Sequence, residues 1–262
     1  MESRDRACDQ ESDMTDKVKS RLARLRVNAR KSLIIILVAA GITAVLALGL
    51  YQGITRSRDF VYRDHLDDTA VTIDGEKLTY RDVAFYVVYE ENQVQTAALA
   101  YDQEKPWNYW DSHVNGVFII SEARRASIEM AIHDRILLRM AQEHGVALST
   151  DEKQQMEDRI TDFYEDLYDD QKENLPVSYD VLSRTIADIA VSEKYQQILA
   201  DENDDTFASY GYDGRAYEKL EKKHKVKISD SWNRIRMGRI TLRDQPECSA
   251  SKNTEYYRKT DK

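Results

Sequence analysis

The densest group of potential metal ligands in the sequence is the acidic run Asp201-Glu202-Asn203-Asp204-Asp205. Oxygen-bearing side chains at its first, third and fifth positions match the start of a calcium-binding loop. The rest of the pattern fails, because Thr206 stands where such a loop needs glycine and Tyr212 where it needs a bidentate glutamate. We therefore predict a solvated acidic loop rather than a calcium site.

The other ionisable residues show no spacing that is typical of catalysis or metal binding. Of the five histidines, His133 and His144 would share a helix, but three turns separate them by roughly 16 Å, too far for one metal. Carboxylate pairs such as Asp162 and Asp166 carry little weight in a chain with 47 Asp and Glu residues. The sequence holds no glycine-rich phosphate loop, nucleophile elbow or Cys-x-x-Cys motif. We therefore expect no catalytic residue, no metal and no cofactor.

A cluster of aromatic residues lies between two predicted helices, in a segment that proline and glycine interrupt. Amphipathic rings are common anchors of recognition surfaces, and they also fill the core at corners between helices. Both interpretations are open from the sequence. The candidate peptide-binding residues are Tyr101, Trp107, Tyr109, Trp110 and Phe118.

A membrane span is predicted near the N-terminus. Residues 32–55 carry no charge, and the twenty residues 32–51 would form a helix of roughly 30 Å, about the thickness of a hydrocarbon core. Residues 17–31 hold seven Lys and Arg and no acid, so the positive-inside rule places the N-terminus in the cytoplasm and the residues after about 55 outside. A signal peptide cleaved near Ala47-Leu48-Gly49 is the alternative, but its basic and apolar regions would both be longer than usual.

The charge balance argues against a nucleic-acid partner. The chain has a net charge of -9, and because residues 1–31 contribute +3, the remainder carries -12, which repels a phosphate backbone. Cys8 and Cys248 would lie on opposite sides of the membrane, so the outer domain would fold without an internal disulfide. With 9 Gly and 3 Pro residues in the whole chain, that domain should consist mainly of long helices.

The outer domain is predicted to begin with a β-hairpin over residues 70–78. Val71 and Ile73 alternate with a polar residue, and Asp74-Gly75 supplies the positive φ angles of a tight two-residue turn. Thr79 and the acid three residues later then form a variant of the capping box, which predicts a helix from residue 80 to about 101.

A long amphipathic helix is predicted over residues 119–144, because isoleucines recur every four positions from Ile128 and Gly145 follows as a left-handed cap. Ser149 and Glu152 form a capping box that opens a third helix to about residue 168. The remaining predicted elements are a helix from Ser178 to about 199, a loop over 200–214, a short helix over 215–224 and a strand at Val226–Ile228.

The order of these elements carries a resemblance. An anchor or signal precedes AVTIDGEKLTYRD (residues 70–82), with the pattern A-V-x-I-D-G-x-x-L-T-x-x-D, and a helix follows that ends LLRMAQEHGVALSTDE (residues 137–152). This order resembles the N-terminal chaperone domain of the SurA/PrsA-type extracytoplasmic foldases. The resemblance implies a mainly α fold with a small β-sheet, in which the hairpin strand at 71–73 pairs with Val226–Ile228.

The predicted organisation follows from the span and the resemblance. It consists of a cytoplasmic basic tail (1–31), a transmembrane helix (32–55), a linker (56–69), the SurA N-terminal-like domain (70–240) and a flexible tail (241–262).

Members of this family that isomerise prolyl bonds carry an inserted parvulin domain, and the short stretch between the fourth helix and Arg215 leaves no room for one. The resemblance therefore implies a membrane-anchored extracytoplasmic chaperone that binds unfolded or partly folded exported polypeptides and is not an enzyme. The alternative is a structural or regulatory subunit of a membrane complex with the same fold. An exposed apolar groove on the free protein favours the chaperone, whereas burial against one fixed partner favours the subunit.

Overall fold

The computed structural model describes residues 60–242 of the chain. The predicted cytoplasmic tail, the predicted transmembrane helix at 32–55 and both cysteines lie outside these residues, as does the predicted flexible tail from residue 243 on. Among the described residues, no helix combines the length and the apolar character needed to cross a membrane. The single span at 32–55 stays a prediction.

The described part of the chain is mainly helical, with a small antiparallel sheet, as the sequence predicts. Three short 3-10 helices join its regular elements. The α-helices are α1 (Ala84–Tyr101), α2 (Trp107–Trp110), α3 (Ile119–Glu143), α4 (Thr150–Glu165), α5 (Asp169–Glu173), α6 (Tyr179–Glu202) and α7 (Arg215–Glu221). The strands are β1 (Thr69–Ile73), β2 (Glu76–Thr79), β3 (His113–Val114), β4 (Val117–Phe118) and β5 (Val226–Ile228).

The main sheet confirms the predicted closure of the domain. Its strand order is β2-β1-β5, and Val71 of β1 pairs with Ile228 of β5 in antiparallel register. The hairpin turns on Asp74 and Gly75, whose φ angles are 50° and 93°, as a tight two-residue turn requires. A third strand and covering helices stabilise a hairpin that would be marginal alone.

The hairpin turn is also tied to the returning chain by a side chain. One carboxylate oxygen of Asp74 accepts the backbone N–H of Lys225 at 2.7 Å, and the other lies 2.5 Å from Arg139 and 2.7 Å from His224. These contacts lower the pKa of the Asp74 carboxyl well below its usual range, the backbone hydrogen bond from Lys225 having the largest effect. Asp74 therefore links β1, α3 and the start of β5.

The start of α1 and the end of α4 both differ from the predictions. Thr79 and Asp82 bond reciprocally, at 2.7 and 3.3 Å, but the chain makes a turn there and α1 begins only at Ala84. The third predicted helix ends at Glu165, because the chain bends to bury Leu167 and α5 then starts as a separate helix. A hydrophobic contact has overridden local propensity at this point.

Helix α3 is the centre of the core, and it contacts both α1 and α6. Ile128, Ile132 and Ile136 are all buried, as their spacing predicts. Gly145 ends the helix with a φ of 66°, and the Val146 N–H bonds back to the helix, as in a Schellman cap. The predicted capping box of Ser149 and Glu152 is also present at the start of α4.

Residues 229–242, which follow β5, cross the helices and bury their apolar side chains, although one 3-10 helix is the only regular element among them. Trp232 donates its indole N–H to the Arg124 carbonyl of α3 at 3.1 Å. This buried segment continues to Leu242, two residues beyond the predicted domain boundary at 240. Its buried apolar side chains are Trp232, Ile235, Met237, Ile240 and Leu242.

Candidate functional site

Trp110, one of the five candidate peptide-binding residues, is part of the core. Its side chain is 1% exposed, and its indole N–H donates to Gln95 Oε1 of α1 at 2.9 Å. The ring packs on the backbone of Gly238 in the returning segment. The sequence leaves two interpretations open, and for Trp110 the structure shows core filling. Trp110 is therefore no longer a candidate surface residue.

The segment under Trp110 is held by a buried carboxylate. Glu91 of α1 is fully buried, and its Oε1 atom accepts the backbone N–H groups of Gly238, Arg239 and Ile240 at 2.6–3.1 Å. Its Oε2 atom accepts the N–H of Thr241 at 2.8 Å and the hydroxyl of the same residue. Burial raises the pKa of the Glu91 carboxyl, and these hydrogen bonds oppose that rise. The backbone N–H groups of residues 238–241 thus converge on the Glu91 side chain, as such groups converge on a bound anion elsewhere, and we call this arrangement the Glu91 nest.

A buried amide network extends this contact to a third element. Gln171 of α5 donates to the Val88 carbonyl at 3.2 Å and to Thr241 Oγ1 at 3.1 Å. Its carbonyl oxygen accepts from Asn92 of α1 at 3.0 Å. Because each of these polar groups has a partner, the network holds α1, α5 and the returning segment in one arrangement.

The other four candidate rings are exposed or half-buried, unlike Trp110. Tyr101, at the end of α1, is 68% exposed, and its ring centroid lies 5.6 Å from that of half-buried Tyr109. Trp107 is half-buried. Phe118 is exposed, with its ring centroid 3.8 Å from that of His113 across the small sheet β3–β4.

Sequence reasoning missed two further exposed apolar residues, Val114 and Val117. They flank the turn Asn115-Gly116, whose φ angles are 54° and 82°, so β3 and β4 form a minimal hairpin with a two-residue turn. The Val-Asn-Gly-Val pattern is a strong hairpin signal that predicts this turn. We define the 101–118 surface by the exposed or half-buried residues Tyr101, Trp107, Tyr109, Val114, Val117 and Phe118.

The histidines each have a local partner. His133 is buried, with Nδ1 2.7 Å from Asp134 Oδ1 and Nε2 2.8 Å from the Tyr210 carbonyl. The remaining contacts are His65 with Asp68, His113 with Phe118, His144 with the Met140 carbonyl and His224 with Asp74. Within residues 60–242, no three His, Cys, Asp or Glu side chains form a group that could hold a metal ion.

The acidic run at 201–205 is partly helical, because α6 continues to Glu202 instead of ending near residue 199. Asp201 accepts a hydrogen bond from Gln197 one turn earlier at 2.7 Å, and Asp205 accepts one from Ser209 at 3.0 Å. These carboxylates make local hydrogen bonds at the ends of two neighbouring helices, which gives them a structural role.

Comparisons of the chain with protein-family models, with curated proteins and with solved structures gave no match. The resemblance to the SurA/PrsA-type foldases therefore depends on the sequence pattern alone.

Proposed function

We propose that this protein is a chaperone-like binder of unfolded or partly folded exported polypeptides, held outside the membrane by its predicted N-terminal span. The observation that carries the proposal is the 101–118 surface. It concentrates exposed apolar side chains at one end of α1 and on the β3–β4 hairpin. Groups of exposed apolar residues on a folded domain are typical of interaction sites.

The base of this surface supports such a role. The hydrogen bond from Trp110 to Gln95 ties α2 to α1, so the backbone that carries Tyr101 and Tyr109 is already ordered before a client binds. Aromatic and aliphatic side chains without aligned polar partners recognise apolar character rather than sequence. Binding of this kind is weak and tolerant of many clients.

The family resemblance supports the same proposal, because β5 returns to β1 as the resemblance implies. Only residues 203–214 separate α6 from α7, which is far shorter than a parvulin domain. We therefore propose binding without prolyl isomerisation.

The test is suppression of aggregation by the full-length chain in detergent micelles, mixed with a model enzyme that unfolds on warming. We expect the parent to suppress aggregation and the triple variant Tyr101→Ser/Val117→Ser/Phe118→Ser to need a several-fold higher concentration. The matched control replaces three comparably exposed apolar residues outside the 101–118 surface, in the variant Val61→Ser/Tyr179→Ser/Phe207→Ser.

Equal suppression by the parent and the first triple variant would remove the 101–118 surface as the client site. A parent that does not suppress aggregation would favour the second candidate, a structural or regulatory subunit of a membrane complex. In that case the same exposed surface should be buried by one fixed partner, which crosslinking through the variant Val117→Cys would capture as a single product.

A further inference from the structure

A cavity whose lining contains none of the residues of the 101–118 surface is a separate candidate site. This cavity of about 250 Å³ opens between β2, the start of α1, α3 and α6. Its apolar part consists of side chains that are buried and belong to the core: Leu78, Val83, Ala131 and Leu138. Its charged part consists of three arginines and three aspartates: Arg81, Arg135, Arg184, Asp82, Asp134 and Asp188.

Four of these six charged residues are already paired inside the protein. Arg81 and Arg135 form ion pairs with Asp67 and Glu76. The other two pairs are Asp134 with His133 and Asp82 with Thr79.

The other two, Arg184 and Asp188, lie one turn apart on α6. Arg184 donates its Nε–H to the Asp180 carbonyl at 3.2 Å, and its terminal nitrogens have no acceptor among residues 60–242. The Asp188 carboxylate accepts no hydrogen bond from any described residue. Burial raises its pKa, and the charges of Arg135 and Arg184 oppose that rise. The cavity therefore presents, beside an apolar base, one donor group and one acceptor group without hydrogen-bond partners among residues 60–242.

We propose that this cavity binds one residue of an extended polypeptide. The apolar side chain enters the base, its backbone N–H donates to the Asp188 carboxylate, and its carbonyl accepts from the Arg184 guanidinium. In a β-strand a residue presents its N–H and C=O to the same side, while its side chain points roughly perpendicular to them. One wall of a groove can therefore bond the backbone while the floor holds the side chain.

The size and charge of the cavity favour this occupant over a metabolite. Its volume is below the range of about 300–1,000 Å³ that is typical of small-molecule pockets. Counting the ion-pair partners Asp67 and Glu76, three arginines face five carboxylates, which disfavours an anionic ligand and is compatible with the neutral backbone of a polypeptide. The inference rests on the proposed function, and it adds a second contact that is independent of the 101–118 surface.

The test is a ligand-observed NMR titration of the full-length chain in detergent. The probe is an N-acetylated, C-amidated nonapeptide of serine and glycine with one central leucine. We expect the parent to bind it and to bind the leucine-free nonapeptide much more weakly. Arg184→Gln and Asp188→Asn should each weaken binding about tenfold, the loss of one charge-assisted hydrogen bond. Thr185→Phe, which fills the cavity from its wall, should abolish binding.

Asp201→Asn is the matched control, because it makes the same chemical change on α6 outside the cavity, and it should bind as the parent does. The inference is overturned if the parent does not bind, or if Arg184→Gln and Asp188→Asn bind as well as the parent. Those results leave the proposed function standing if the Tyr101/Val117/Phe118 variant still loses suppression. Full suppression by that triple variant refutes the proposed site at 101–118 whatever the titration gives.

Discussion

The indole of Trp110 lies directly on the backbone of Gly238, so closely that a Cβ atom at Gly238 would be 2.8 Å from Cδ2 of the ring. Gly238 also has a φ of 83°, in the left-handed region that side chains rarely adopt. Two separate constraints, one steric and one conformational, therefore require glycine at this position.

Gly238→Ala should destabilise the protein through both constraints. Left-handed strain costs about 1–2 kcal/mol, and overpacking against Trp110 adds about 1–3 kcal/mol. Gly116→Ala is the matched control, because Gly116 has a φ of 82° and open space where its Cβ would lie. Urea unfolding should show a clearly larger loss at position 238. Equal losses at the two positions would mean that the ring moves aside without cost.

Glu91→Gln should lower the free energy of unfolding by about 3 kcal/mol. The amide has one acceptor oxygen instead of two, so at least one buried backbone N–H in the segment 238–241 loses its partner. Urea unfolding measures the loss, and amide hydrogen exchange should quicken within residues 238–241. Unchanged exchange in that segment would show that the carboxylate does not hold it.

The β-hairpin and the strand at Val226–Ile228 could be predicted from the sequence because their signals are local, whereas the pairing between them is expected from the family resemblance. Asp74-Gly75 determines the turn, and the alternation in Val226–Ile228 indicates a strand. The buried stripe of α3 followed in the same way from its four-residue spacing.

The carboxylate nest could not be predicted, because Glu91 reads as one acid among many until the segment about 150 residues later folds over it. Helix α1 buries five successive residues, 84–88, so its sequence has no single apolar face that would mark position 91 as internal. Helix α2 is only one turn long, and one turn is too short for periodicity to separate buried Trp110 from half-buried Trp107.

The stability of the protein should fall between about pH 5 and pH 8 because of Glu90. Burial and then the nearby Glu122 carboxylate raise the pKa of Glu90 to about 7. The folded state favours the protonated form of Glu90. The stability that Glu90 contributes is therefore complete below its unfolded pKa of about 4.3 and is lost as the pH rises through 7.

Glu90→Gln removes this titration. Relative to the variant, the free energy of unfolding of the parent should fall by about 1–2 kcal/mol from pH 5 to pH 8. This is less than the full pKa shift implies, because part of the Glu90 side chain stays solvated. Urea unfolding at several pH values measures the difference. Parallel pH profiles for the parent and the variant would show that Glu90 ionises freely in the folded protein.

Asp74→Asn separates the turn from its carboxylate contacts, because Asn-Gly forms the same tight turn as Asp-Gly. We expect the variant to be less stable than the parent at neutral pH, since Lys225, Arg139 and His224 lose an ionised partner. The pKa of Asp74 is lowered in the folded state, so its contribution is complete above the unfolded value of about 3.9 and declines as the pH falls below it. Thermal unfolding from pH 7 to pH 2 should therefore show the gap between the parent and the variant narrowing with acid. A gap that stays constant over this range would assign the effect to the turn geometry and not to the charge.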